Sequence, residues 1–117
     1  MRWSGKASAA LGVGAAIIAC TTLVHSAGAA TAEVVVMQRN VMFSQSNVTL
    51  HVGDSIRFTN DDTVPHNISV RSQDVDDTED LGIQEPHKSM VYRFKTPGVF
   101  FVVCSIHPKM NLRVVVR

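Results

Sequence analysis

The stretch Phe100-Phe101-Val102-Val103-Cys104-Ser105-Ile106-His107-Pro108-Lys109-Met110 runs from four bulky apolar residues into a cysteine, then offers a histidine and a methionine at successive steps of three. The apolar run reads as a buried strand. Steps of three do not continue a strand, whose side chains alternate with period two, so the chain must leave the sheet at Cys104 and turn. Taken singly, a cysteine ending an apolar strand is a small hydrophobe and a methionine six residues on is core. Taken together, Cys104, His107 and Met110 put a thiolate, an imidazole and a thioether within seven residues, closed by Pro108.

Outward from this segment the pattern is that of strands. Val48, Leu50 and Val52 point one way with Thr49 and His51 the other; Ile56 and Phe58 flank Arg57; Ile68 and Val70 flank Ser69; Met90, Tyr92 and Phe94 flank Val91 and Arg93. Each run has one apolar face. Turn residues separate them: Gly53-Asp54, Asn60-Asp61-Asp62 and Thr96-Pro97-Gly98. Val34 to Met37, Val99 to Val103 and Leu112 to Val116 add further strands, and no sustained 3.6-residue period follows Glu33. The expectation is an all-β Greek-key sandwich of about seven to eight strands. Ser72 to Asp80 carries five acids in nine residues without periodicity and reads as a solvated loop.

The N-terminus has another character. Arg2 and Lys6 precede an uncharged apolar run from Ala7 to Val24, and Ala27-Gly28-Ala29 offers a small-x-small cleavage site. This is the pattern of a signal peptide over residues 1–29, leaving a domain over residues 30–117 exported to the periplasm. Two alternatives stand beside it: lipidation at Cys20, which ends the lipobox-like Ile17-Ile18-Ala19-Cys20, and retention of the run as a membrane anchor. The protein therefore meets a membrane only if lipidated or uncleaved. Loss of Arg2 and Lys6 from eleven basic residues leaves nine against ten acidic ones, a net charge of −1. With no basic stripe, nucleic acid is excluded as a partner. Cys104 becomes the lone thiol of an exported chain, where a cysteine calls for burial, pairing between chains or a metal.

A soft donor set selects copper among the common metals, and two histidines, one cysteine and a weak methionine form the electron-transfer arrangement. A second histidine is needed. His25 lies in the leader, His51 on the outward face of its strand, and His87 in Glu85-Pro86-His87-Lys88; both His51 and His87 read as solvent-facing. His66, in Thr63-Val64-Pro65-His66-Asn67, follows a turn and opens a strand, and is the fourth candidate.

On Val64-Pro65-His66-Asn67 and Cys104-Ser105-Ile106-His107-Pro108-Lys109-Met110 the chain resembles the cupredoxins, the type 1 blue copper proteins, and among them the short-loop plastocyanin and amicyanin type. The resemblance implies one copper ion cycling between Cu(I) and Cu(II), held by His66 Nδ1, Cys104 Sγ and His107 Nδ1 with Met110 Sδ as a long axial ligand. It implies that Asn67 sends its backbone N–H to the cysteine sulfur and ties the two ligand loops with its side chain. It also implies a monomer that is no enzyme and that exchanges electrons with redox partner proteins, a dehydrogenase or a c-type cytochrome. The chain departs from that type at Ile106, where a proline is usual; the retained N–H is expected to give Cys104 Sγ a second hydrogen bond. The competing functions are copper trafficking by the same fold, against which no Met-rich run is present beyond Met37 and Met42, and cysteine-nucleophile catalysis, for which a chain this short builds no cleft.

Overall fold

In the computed structural model, residues 2, 4–24 and 28–117 are described. His25 of the leader and Ala27 of the expected cleavage motif lie outside them. Among the described residues there are nine strands and no helix: β1 (Glu33–Arg39), β2 (Met42–Phe43), β3 (Asn47–Leu50), β4 (Ser55–Asn60), β5 (His66–Ser72), β6 (Thr78–Gln84), β7 (Ser89–Arg93), β8 (Gly98–Val103) and β9 (Asn111–Val116). Among the described residues, consequently, no helix is long and apolar enough to cross a membrane.

The strands form two mixed sheets, ordered β2-β1-β4-β7 and β3-β9-β8-β5-β6. β1 lies parallel to β4, with Val36 opposite Phe58, and β3 lies parallel to β9, with Val48 opposite Val114; the remaining pairs are antiparallel. A parallel pair cannot be closed by a tight turn, so each of these pairings forces the intervening chain to cross to the other sheet. That crossing makes the sandwich.

Period-two alternation gives each sheet one apolar inner face. Val36, Ile56 and Phe58 from one sheet and Ile68, Val102, Leu112 and Val114 from the other are wholly buried, in one cluster that also takes in Cys104 and Met110. The expected all-β sandwich is therefore found, with differences in detail. Val52 does not continue the face of Val48 and Leu50; β3 ends at Leu50, and Val52 sits in a turn, 47% exposed, its N–H bonded to the Arg117 carbonyl. The short β2 pairs back on β1 through a turn in which both Asn40 and Val41 have left-handed backbone angles, with φ of 54° and 57°.

The acidic stretch is not all loop. Thr78 to Asp80 begin β6, which pairs antiparallel with β5 along its length. Its alternation is hidden because the register slips between Ile68 and Ser69: Ile68 faces Gly82 while Ser69 faces Asp80, skipping Leu81. An extra residue of this kind reverses which face each later side chain takes. β6 is also an edge strand, where charged residues are the usual protection against pairing with another chain.

Asp54 fixes the entry of the chain into the sandwich. Its carboxylate accepts the Ala32 N–H at 2.8 Å and the His51 N–H at 2.9 Å. These two backbone donors outweigh the effect of burial and hold the Asp54 carboxyl below its usual range, with a further contribution from nearby His51. A depressed folded value means the stabilisation is complete above the unfolded value of about 4 and is lost as pH falls through the folded one. The stability of the chain is accordingly expected to fall as pH drops below about 4, with a shallower fall in Asp54→Asn, as measured by urea unfolding at a series of acid pH values. Equal slopes in the two proteins would contradict this role.

Candidate metal centre

Antiparallel pairing of β5 with β8 sets Ser69 opposite Val103 and so brings the start of β5 beside the end of β8. His66 is the first residue of β5, and Cys104 follows the last residue of β8. The segment from Cys104 to Met110 is closed by the Met110 N–H bonding back to the His107 carbonyl at 2.9 Å, after which β9 begins. The turn ahead of His66 is tied by Asn60, whose side-chain amide donates to the carbonyls of Val64 at 2.9 Å and Gln84 at 3.0 Å and whose Oδ1 accepts the Asp62 N–H.

These elements bring together His66, Cys104 and His107. His66 Nδ1 lies 3.1 Å from His107 Nδ1, which lies 3.7 Å from Cys104 Sγ. One donor atom from each residue falls within 4.8 Å of the others. The fit to a metal can be tested on these numbers. Bonds of about 2.0 Å to nitrogen and about 2.3 Å to sulfur at trigonal angles separate two nitrogens by about 3.5 Å and a nitrogen from a sulfur by about 3.7 Å. The donors sit at that scale, and two imidazoles with one thiol are the set suited to copper. His66 and Cys104 are buried, His107 half-buried, and Met110 only 1% exposed in the apolar cluster that includes Cys104.

Behind His66 stands a residue that sequence reading did not single out. His66 Nε2 lies 2.7 Å from Asp62 Oδ2. A carboxylate only accepts, so neutral His66 carries its hydrogen on Nε2 and leaves the Nδ1 lone pair turned toward Cys104 and His107. The same carboxylate accepts the N–H groups of Asn40 at 2.6 Å and Val41 at 3.0 Å, binding the left-handed turn to the histidine. Burial pushes the Asp62 carboxyl up, but the Val41 N–H, the His66 ring and the Asn40 N–H together hold it below its usual range. Asp62 stands four residues before His66; only the turn-forming Asn60-Asp61-Asp62 triplet marked it in the sequence.

The thiol side is organised by Asn67. Its backbone N–H points at Cys104 Sγ at 3.2 Å, and its Oδ1 accepts both the N–H of Ser105 at 3.2 Å and the Ser105 hydroxyl at 2.9 Å. The second hydrogen bond expected from Ile106 is not made: among the described residues Asn67 is the backbone donor to this sulfur. The reason is local. Ser105 is pinned to Asn67, the chain bends at Ser105 and Ile106, and Ile106 is turned outward, 45% exposed. His51 and His87 are exposed and stand outside the cluster.

Comparison with known proteins agrees with this geometry. Residues 30–117 match the family described as copper binding proteins, plastocyanin/azurin family. The chain is 29% identical over 126 residues to a chloroplastic plastocyanin of Physcomitrium patens, covering 99% of this chain and 75% of that protein. It is 28% identical over 113 residues to amicyanin-alpha of Methylorubrum extorquens, covering 96% and 89%. Among solved structures, a Cu(I) form of an amicyanin variant superposes with a TM-score of 0.67 at 21% identity, over 75% of this chain and 85% of that one, which speaks for the fold. The chain belongs to the plastocyanin/azurin family of copper-binding proteins, the cupredoxins, whose members carry electrons on one copper ion and are not enzymes.

The role of Asp62 leads to an expected outcome. Asp62→Ala frees the His66 ring, and partners of this kind are worth about 10–100-fold in metal affinity. Competition titration of copper should show a loss in that range, while an unchanged affinity in a folded variant would remove Asp62 from the account.

Proposed function

We propose that His66, Cys104 and His107 hold one copper ion, with Met110 as a weak axial ligand, in an exported monomer that passes single electrons between redox partner proteins. The observation that carries this reading is the convergence of two imidazole nitrogens and one thiol, all within 4.8 Å of one another. Bound copper supplies a one-electron Cu(I)/Cu(II) couple tuned by its thiolate and axial ligand. The rest is the work of the chain. Asp62 fixes the ring of His66, Asn67 places an N–H against the Cys104 sulfur, and the Asn67–Ser105 bonds hold the two ligand segments at a constant separation. A site held this firmly admits little rearrangement when its charge changes by one. Burial of Met110 and Cys104 keeps water from the inner side. His107 is half-buried between exposed Ile106 and Pro108, so its ring edge is the natural route for an electron at an apolar surface.

Copper hand-over is the weaker reading, because His66 at 0% and Cys104 at 1% exposure are poorly placed for exchange with another protein's ligands. Export is supported by the leader pattern and by its lack of packing: Ile17 and Ile18 are 91% and 87% exposed, outside the sandwich. Cleavage after Ala29 releases it, and lipidation at Cys20 is the alternative end. A dehydrogenase or a c-type cytochrome is the class of partner proposed.

The test is a Cu(II) titration of residues 30–117 followed by visible absorption and EPR. An intense thiolate-to-copper band saturating at one equivalent, absent in Cys104→Ala and bleached reversibly by a reductant, is the expected result. Colourless binding, or binding that does not depend on Cys104, would contradict it.

A further inference from the structure

The acidic stretch reads as solvated in the sequence, yet its last member is engaged. Asp80 Oδ1 accepts the side-chain amide of Asn67 at 2.8 Å and the N–H of Gly82 at 2.7 Å. The Asn67 amide gives a second bond, to the Gly82 carbonyl at 3.0 Å. Gly82 has φ of 89°, a conformation that glycine adopts freely and side-chain-bearing residues rarely do, and it sits where the β5–β6 register slips. The slip and the carboxylate thus belong together: the extra residue in β6 bends Asp80 back over the strand, onto the amide of the residue that follows His66. Asn67 is 2% exposed, and both its Nδ2 hydrogens are taken by acceptors, so its Oδ1 must face Ser105.

We propose that Asp80 is a positioning residue for the copper site: from the surface edge strand it locks the Asn67 side chain, and through Asn67 it fixes the Ser105 turn and the N–H aimed at the Cys104 sulfur. This rests on the ligand assignment proposed above. The chain of contacts is continuous, Asp80 to Asn67 Nδ2, Asn67 Oδ1 to Ser105, and Asn67 N–H to Cys104 Sγ. Its other end lies among Asp74, Asp76, Asp77 and Glu79, which are exposed. What Asp80 contributes is an acceptor in a fixed place. An asparagine there still offers a side-chain oxygen to Gly82 and Asn67, whereas an alanine offers none.

Three variants separate this role from general charge and from folding: Asp80→Ala, Asp80→Asn and, as a charge control in the same stretch, Asp76→Ala. In the metal-free chain, backbone amide hydrogen exchange at Asn67 and Ser105 should accelerate about tenfold in Asp80→Ala, and stay within about twofold of the parent in the other two. In the copper-loaded chain, Asp80→Ala should displace the thiolate-to-copper band and weaken copper retention about tenfold, with the band restored in Asp80→Asn. Exchange and band unchanged in Asp80→Ala, or Asp80→Asn as impaired as Asp80→Ala, would overturn the proposal. A parent chain that shows no thiolate band at all would overturn the ligand assignment instead, while the exchange comparison still decides whether Asp80 holds the Ser105 turn.

Discussion

The pairing of β5 with β8 is the constraint on which the site depends. Ser69 opposite Val103 leaves three residues of β5 running back to His66 and one step of chain running on to Cys104, so the imidazole and the thiol arrive at the same end of one sheet. Side chains on neighbouring strands are held to the spacing of the hydrogen-bonded ladder, which a flexible loop cannot guarantee. Cys104 stands one residue past the end of β8 and His107 lies farther along the same loop, which is closed by the bond from Met110 N–H to the His107 carbonyl. The core below keeps the ladder in place: Ile68 and Val102, both wholly buried, lie on the same two strands as the site.

Around this frame the polar groups are arranged in two sets, one for each strand. Asp62 serves the histidine side and binds it to the Asn40–Val41 turn; Asn67, Ser105 and Asp80 serve the thiol side and bind it to β6. Buried polar networks are stabilising only when their members find partners, and they then specify one arrangement. Here the consequence is functional. Held on both sides by these bonds, the His66, Cys104 and His107 side chains have little freedom to move apart. Two wholly buried side chains stand outside this scheme: Gln38, whose amide oxygen and nitrogen both lack a partner, and Gln84, whose amide nitrogen bonds the Phe58 and Lys88 carbonyls while its oxygen is unpartnered.

Much of this was readable in advance, for identifiable reasons. The strands with a clean period of two, such as β4 with Ile56 and Phe58 inward, declare themselves because one face meets the core and the other meets water. The three residues that converge were legible because Cys104 and His107 lie three apart in one segment and His66 opens a strand after a proline. β6 was not legible, since a register slip at Ile68 and Ser69 breaks the alternation and its exposed acids look like loop. Asp62 and Asp80 were hidden for the same kind of reason. A surface-type residue in a turn or acidic run has no pattern of its own, and its value lies in what the fold brings to it from 4 and 13 residues away. Ile106 shows the converse: an available N–H does not make a bond unless the turn aims it.

We propose that the two imidazole nitrogens and one thiol brought together by the start of β5, the end of β8 and the loop after it hold copper. X-ray absorption of the copper-loaded chain, recorded in both oxidation states, tests it most directly. One short copper–sulfur distance and two nitrogen distances are expected in the oxidised form, with the same three donors retained and only small changes on reduction at neutral pH. A copper centre lacking the short sulfur, or one that exchanges its donors between the two states, would contradict it.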